Sequence, residues 1–203
     1  MLPAPPRRPT PEQLYLEHFP GLWRAITEDM VVPPLDMEIE INVNDRGQEH
    51  TFAISFDGSP LSVRKGEAHS PVARFDSDLE AFRVAATDVW PRALRRLEKR
   101  IQATRDFLQS ALAQINPKTY ADTLRTLSGV IDVLYTDDAG DLSKTHITIG
   151  NGSGKLARVE VSDADLKLLL EGSKLKDLLR SRMRVHGDAG FVLRLIASLD
   201  PHS

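Results

Sequence analysis

One pattern of turns and strands occurs twice along the chain, and this internal repeat constrains the fold more than any single motif does. The first copy reads IEINVNDRGQEHTFAISFDGSP and then PVARFDSDLEAFRVA, and the second reads IDVLYTDDAGDLSKTHITIGNGSG and then ARVEVSDADLKLLLEG. Gly47 aligns with Gly140, and Asp78 aligns with Asp165 after a short deletion in the second copy. Repeated supersecondary units share one architecture. We therefore expect two related halves, each with a hairpin, a strand, an acidic turn and a helix.

Hydrophobic spacing assigns a fold class to these halves. Apolar residues in the segment 37–43 alternate with polar ones, which is the period of a half-buried strand. Thr10 and Pro11 are typical of a helix start, and so is Asp78 ahead of an apolar run. The sequence therefore predicts an α+β fold of two related halves, each a mostly antiparallel small sheet with helices on one face, joined by a long amphipathic helix.

The joining helix is predicted over residues 91–115. Its apolar side chains recur at the spacing of a continuous stripe on one helix face. The stripe consists of Leu94, Leu97, Ile101, Thr104, Leu108, Ala111 and Ile115. This stripe packs across the sheet, bridges the two halves or forms the seam of a homodimer, and the sequence leaves these alternatives open. The predicted organisation is a flexible proline-rich arm at 1–10, a degenerate first half at 11–90, a helical connector at 91–127 and a second half at 128–203.

Composition excludes several classes of protein. The 203 residues carry a net charge of −3, with 41% hydrophobic and 27% charged residues, which gives no general electrostatic reason to bind nucleic acid. The absence of cysteine excludes disulfides and thiolate metal sites. The start MLPAPPRRPTPEQ lacks the apolar core of a secretory signal, and no run approaches the roughly 20 apolar residues that span a bilayer. We therefore expect a soluble, cytoplasmic protein without stable membrane insertion.

Two loops are superficially similar to ligand-binding motifs but lack the residues that those motifs need. The segment 150–155 has too few residues between its first glycine and the Gly-Lys pair for a phosphate-binding loop, and Leu156 follows the lysine where a serine or threonine is required. The segment 137–141 lacks the spaced oxygen ligands and terminal glutamate of an EF-hand. We interpret both as hairpin turns, because their counterparts in the first copy are turn sequences.

Catalytic motifs are missing as well. No histidine pair has the spacing of a zinc-binding helix, and there is no G-x-S-x-G elbow and no cysteine nucleophile. The histidines are His18, His50, His69, His146, His186 and His202. We interpret them as surface or strand residues and predict no enzyme activity, no metal and no cofactor.

Positive charge is concentrated on the predicted long helix. The basic residues are Arg92, Arg95, Arg96, Lys99, Arg100 and Arg105. Such a patch suits a nucleic acid or an acidic lipid, but Glu98 and Asp106 interrupt it and no aromatic residues alternate with it. We interpret it as a solvated helix face and predict no nucleic-acid partner.

Residues 157–199, ARVEVSDADLKLLLEGSKLKDLLRSRMRVHGDAGFVLRLIASL, resemble the closing half of the sterol carrier protein type 2 family. That family ends with a strand, an acidic turn, a helix that stops at glycine, a variable segment, a short basic strand, Gly-Asp and an apolar helix. The matching positions are Val159, Val161, Ser162, Asp163, Asp165, Leu166, Leu169, Gly172, Met183, Val185, Gly187, Asp188, Leu193 and Leu195. In the degenerate first half, Trp90-Pro91 and the long helix replace the closing strand and the last helix.

The resemblance implies an apolar tunnel between a sheet and its helices, and non-catalytic binding of sterols, fatty acyl chains or other hydrophobic small molecules. Such a tunnel needs little beyond shape and dryness, because burial of an acyl chain contributes about 0.8 kcal/mol per CH₂. The candidate ligand-binding residues are Leu166, Leu169, Leu170, Leu175, Leu178, Leu179, Phe191, Val192 and Leu195. The alternative is an assembly or regulatory protein that keeps the fold without a pocket and associates, for example as a homodimer, through helix 91–115.

Overall fold

The computed structural model describes residues 2–56, 61–114, 117–171 and 173–199, and it confirms the predicted α+β class. Within these residues, the strands are β1 (Glu38–Asp45), β2 (Gln48–Ser55), β3 (Ser62–Lys65), β4 (Pro71–Asp78), β5 (Gly129–Thr136), β6 (Leu142–Ile149), β7 (Leu156–Ser162) and β8 (Arg184–Gly187). The α-helices are α1 (Phe19–Ile26), α2 (Leu79–Val84), α3 (Trp90–Lys99), α4 (Ile101–Gln114), α5 (Pro117–Thr126), α6 (Asp163–Glu171), α7 (Leu175–Ser181) and α8 (Ala189–Leu199). Two π-helical segments, Gln13–His18 and Ala85–Val89, lead into α1 and α3.

A single sheet runs through both halves of the protein. Its strand order is β3-β2-β1-β4-β6-β5-β7-β8, and neighbours run antiparallel except in the parallel pairs β1·β4 and β5·β7. The halves join where β4 pairs with β6, with Ala73 opposite Ile149 and Phe75 opposite Ile147. The two predicted small sheets are thus merged into one. β6 covers the edge of β4, which would otherwise expose unpaired backbone groups.

Strand pairing fits the predicted repeat and corrects its alignment. The strand triplets β2-β1-β4 and β6-β5-β7 have the same order and the same directions. Asp78 and Ser162 each end the third strand, and each side chain accepts a backbone N–H of the following helix. Asp78 therefore corresponds to Ser162 and not to Asp165. The described part of the second half has no counterpart of β3, which accounts for the deletion.

The loop at 150–155 is a turn, but not the predicted hairpin. β5 lies between β6 and β7 in the sheet, so this loop crosses over the start of β5, where Ser128 Oγ accepts the Ser153 backbone N–H at 2.9 Å. The loop at 137–141 is the predicted hairpin turn. The Asp137 carboxylate there accepts two backbone N–H groups at 2.9 Å, which accounts for an acidic residue at this position.

The helices cover one face of the sheet, and strand side chains alternate accordingly. Ile39 and Val43 of β1, together with Ile131 and Val159 in the second half, point into the helical layer. The opposite face is polar, with Asp132 hydrogen-bonded to His146 at 2.8 Å across neighbouring strands. An apolar face against helices and a solvated polar face are usual for a sheet with antiparallel pairing.

The predicted helix over 91–115 is interrupted at Arg100. A φ of −125° and a ψ of 21° at this residue separate α3 from α4. Much of the predicted apolar stripe is covered by the chain itself, because its side chains pack against Leu22 and Ile26 of α1. These stripe residues are Leu94, Leu97, Ile101 and Leu108. Ile115 lies outside the described residues.

Each π-helical segment precedes a proline in the body of a helix. The residue before the proline, Phe19 or Trp90, donates its backbone N–H to the carbonyl of Leu14 or Ala85 respectively. A proline ring inside a regular α-helix clashes with the carbonyl four residues earlier, and the wider π turn avoids this clash. Pro91 therefore lies inside a helical run that begins with α2, although the sequence predicted that it opens a helix.

The N-terminal arm lies against the protein at both of its ends. Leu2 packs against the cluster of α1 and α3, and Pro9 is buried. Thr10 Oγ1 accepts the Gln13 backbone N–H at 3.2 Å, while Gln13 Oε1 accepts the Thr10 backbone N–H at 3.0 Å. This reciprocal pair is a capping box, and it confirms the helix start predicted at Thr10.

Candidate functional site

The nine residues predicted to line a cavity divide into two groups by exposure. Four of them, on α6 and at the start of α7, retain accessible surface: Leu166, Leu169, Leu170 and Leu175, the last of them 39% exposed. The other five, on α7 and α8, are buried within the main hydrophobic cluster: Leu178, Leu179, Phe191, Val192 and Leu195. The structure therefore brings the second group into contact with the sheet, packs Leu169 against the same cluster, and leaves Leu166, Leu170 and Leu175 at the margin of the helical layer.

Phe191 is the most tightly enclosed of the nine. It has no exposed surface, and its ring lies directly over Gly129 at the start of β5. A Cβ atom built on Gly129 would lie 2.6 Å from Phe191 Cε1 and Cζ, closer than nonbonded carbon atoms approach. Lys155 Nζ lies 5.7 Å from the centroid of the same ring. Phe191 therefore fixes α8 on the sheet at a position where only glycine fits.

A network of charged groups joins α3 to α6 next to the accessible leucines. Arg92 Nη1 lies 2.6 Å from Asp163 Oδ1, and the Tyr135 hydroxyl donates to the same oxygen at 2.9 Å. Lys167 Nζ lies 2.7 Å from Asp163 Oδ2, and Asp88 accepts a second hydrogen bond from Arg92. Since Asp163 is only 4% exposed, this network holds α3 and α6 together through a buried carboxylate.

The network favours the ionised forms of Asp163 and Arg92. Hydrogen bonds from Lys167, then Arg92 and Tyr135, hold the pKa of Asp163 well below its usual range although burial acts in the opposite direction. Burial lowers the pKa of Arg92, but the hydrogen bonds to Asp163 and Tyr135 outweigh it and raise that pKa. Asp163 therefore acts as a permanent anion that orders the cations around it.

A basic groove with a volume of about 250 Å³ opens beside this network. Its lining residues are Arg92, Arg95, Arg96, Lys99, Lys167, Leu170 and Glu171. Arg96 donates to the backbone carbonyl of Glu171, whereas Arg95 and Lys99 are exposed and have no hydrogen-bond or ion-pair partner in the described part of the chain. The groove thus presents positive charge that the protein itself does not neutralise, and Leu170 gives it an apolar wall.

The basic residues that the sequence assigned to one solvated helix face lie on two helices and make different contacts. The break at Arg100 divides the patch, and Arg105 on α4 instead donates to the Ile26 and Ala25 carbonyls at 3.0 and 2.7 Å. Lys167, which faces the α3 cations from α6, was not selected as a site residue because it belongs to the other half of the sequence. Only the topology of the sheet places the two helices side by side.

Other classes of site find no support in the described ranges 2–56, 61–114, 117–171 and 173–199. Within them, no group of three or more histidine or carboxylate side chains is arranged to hold a metal ion. None of their helices has both the length and the hydrophobicity needed to cross a membrane.

Comparisons with known proteins leave the family open. No protein-family model, no curated protein and no solved structure matches this chain. The resemblance to sterol carrier proteins therefore stays a prediction.

Proposed function

We propose that the protein is a non-catalytic carrier of an amphipathic lipid anion, with the acidic head group in the basic groove and the hydrocarbon tail against the leucines of α6 and α7. One observation carries this proposal. The groove with uncompensated positive charge shares Leu170 with the group of residues predicted to contact a lipid.

The charges in the groove favour a carboxylate or phosphate head group. Arg92 and Lys167 are already balanced by Asp88, Asp163 and Asp138. Arg95, Arg96 and Lys99 face only the single carboxylate of Glu171 among the lining residues. Arginine binds such oxyanions in a bidentate manner, so the ligand supplies the charge that this part of α3 lacks.

The tail has an accessible apolar surface next to the head group. Leu166, Leu169 and Leu170 are half-buried, and Leu175 on the neighbouring helix is more exposed. A hydrocarbon chain that covers them removes apolar surface of both partners from water, at about 25 cal/mol per Å². Because α8 is firmly packed on the sheet, the tail in this proposal lies along α6 and α7 rather than beneath Phe191.

A pair of matched probes tests the proposal. Wild-type protein is titrated with cis-parinaric acid and with its methyl ester, which lacks the head-group charge and adds one methyl group, and the fluorescence increase is recorded. We expect the acid to bind roughly tenfold more tightly than the ester, as one charge-assisted hydrogen bond would produce. The Arg95→Gln/Lys99→Gln variant should lose this preference. The control Arg24→Gln/Arg158→Gln, which removes two exposed cations on α1 and β7, should keep it.

The carrier function and the position of the head-group site can be refuted separately. If neither probe binds to wild-type protein, the carrier function is refuted. If both bind with equal affinity, or if the control loses the preference as much as the groove variant does, the basic groove is not the head-group site.

A further inference from the structure

A second groove lies in the first half, away from the basic groove. It has a volume of about 600 Å³ and lies between the N-terminal segment, the turn end of the β1–β2 hairpin and α2. Apolar walls come from Pro9, Pro11, Leu79 and Phe82. The size suits a small organic molecule, and His50 is the polar residue of interest because a hydrogen bond to Glu12, another lining residue, fixes its ring.

His50 is held in one orientation by a carboxylate. It lies on the helix-facing side of β2, its side chain is 14% exposed, and its Nδ1 is 2.8 Å from Glu12 Oε1. Lys65 Nζ donates to the same oxygen at 3.1 Å. The hydrogen bond from His50 is the main reason that the pKa of Glu12 is lowered to about 2. Because an ionised carboxylate only accepts hydrogen bonds, Nδ1 of His50 carries a proton.

This orientation leaves the other ring nitrogen available. In neutral imidazole one nitrogen donates and the other accepts, so a proton on Nδ1 makes Nε2 an acceptor. Nε2 has no hydrogen-bond partner among the described residues. In the neutral form of His50, Nε2 is therefore a hydrogen-bond acceptor of fixed orientation between apolar walls, beside the carboxylates that also line the groove, and this arrangement suits a hydroxyl group on an apolar body.

Ionic groups around the groove do not favour a charged ligand. Arg8 and Arg83 line it, but so do Glu12, Asp45 and Glu80, and Arg83 lies 3.6 Å from Glu80. Lys65 Nζ lies 3.1 Å from Glu12, so three cations stand beside three carboxylates and the net field on a ligand is small. An uncharged molecule is therefore the better match.

We propose that this groove is a second binding site, for an uncharged aromatic or aliphatic molecule that donates one hydroxyl hydrogen bond to Nε2 of His50. The site is independent of the carrier function proposed above. Its ligand differs from a lipid anion in lacking a charge, and no residue lines both grooves.

The probes are 2-naphthol and 2-methoxynaphthalene, which differ in whether the oxygen donates a hydrogen bond. Binding to the full chain is measured by fluorescence titration, and folding of every variant is checked by circular dichroism. Wild-type protein should bind 2-naphthol about three- to tenfold more tightly, the value of one neutral hydrogen bond. His50→Phe should bind both probes equally. The control His69→Phe replaces an exposed histidine and should keep the preference.

If His50→Phe does not fold, a measurement on wild-type protein tests whether the ligand binds to Nε2 of His50. In a long-range ¹H–¹⁵N correlation spectrum, 2-naphthol should shift the His50 Nε2 resonance and 2-methoxynaphthalene should not. Absence of binding by both probes, equal affinity of wild-type protein for them, or an unchanged Nε2 resonance in the presence of bound 2-naphthol would each overturn the proposal.

Discussion

The contact between Phe191 and Gly129 allows a quantitative test of how closely α8 is packed on the sheet. A methyl group at position 129 would lie 2.6 Å from the Phe191 ring, and overpacking of this kind costs typically 1–3 kcal/mol. Gly129 does not have a positive φ, so alanine itself is tolerated by the backbone and should stabilise by roughly 0.4–1 kcal/mol through the unfolded chain. In the Phe191→Leu background the ring atoms Cε1 and Cζ are gone, and only Lys155 Cβ remains close to the added methyl group, at 3.0 Å. A shift of Lys155 by a few tenths of an ångström then reduces the cost to near zero or lets that small benefit emerge. We therefore expect a coupling free energy of about 1–3 kcal/mol between the two substitutions.

The assay is a double-mutant cycle by urea unfolding, followed by circular dichroism. Gly129→Ala should lower the free energy of unfolding in wild-type protein and leave it unchanged or higher in Phe191→Leu. Gly21→Ala is the matched control, since nothing lies within 4 Å of a Cβ atom there, and in a helix it should stabilise by about 0.5–1 kcal/mol in both backgrounds. Equal effects of Gly129→Ala in both backgrounds would refute close contact of α8 with β5.

Two further predictions concern contacts between helices, first the network around Asp163 and then the packing of Leu108. Asp163→Asn should lower the free energy of unfolding at pH 7 by about 2–4 kcal/mol, because two cations lose a buried partner. The folded-state pKa of Asp163 lies below its unfolded value. The stabilisation by Asp163 is therefore present above about pH 4 and is lost as the pH falls. The difference in urea midpoint between Asp163→Asn and wild-type protein should therefore be smaller at pH 3 than at pH 7. An equal difference at both pH values would contradict the ionic role of Asp163. Leu108→Glu should destabilise by about 1–3 kcal/mol, because Leu108 packs against the cluster that contains Leu22 and Ile26 of α1. The urea midpoint of wild-type protein should be independent of protein concentration, and a wild-type midpoint that rises with concentration would place a second copy on the stripe instead.

Much of the fold follows from local patterns in the sequence. Alternation of apolar and polar residues was enough to find the strands, as in β1, because one face of the sheet is solvated. Capping residues such as Thr10 located helix starts, since their side chains satisfy backbone groups next to them in the chain. These signals depend only on near neighbours.

The departures from prediction have non-local or steric causes. The single sheet could not be predicted from local patterns. It forms because β4 of the first half pairs with β6 of the second half, and the two strands are far apart in the sequence. Pro91 indicated a helix start, yet the preceding π-helical turn lets the helix pass through it. Arg100 interrupts a stripe whose hydrophobic spacing continues through the break, so periodicity alone did not reveal two helices.

The candidate site was only partly accessible to sequence reasoning. The family resemblance selected leucines of α6, and the structure places Leu170 at a groove. Lys167 and Tyr135 were missed, because their roles depend on Arg92 from the other half of the chain. The sequence does not distinguish whether Phe191 and its neighbours on α8 line a cavity or belong to the core, since both roles require apolar residues at helical spacing.

The location of a bound fatty acid is the most direct test of the proposed function. Backbone amide signals of ¹⁵N-labelled protein are recorded with stearic acid that carries a nitroxide near its carboxylate or near its methyl end, and with the diamagnetic control. We predict that the first label broadens signals of α3 and of the second half of α6, where Lys167, Leu170 and Glu171 line the groove, and that the second broadens those of α6 and α7. Broadening confined to other elements, or none at saturating ligand, would contradict a head group in the basic groove and a tail along these helices.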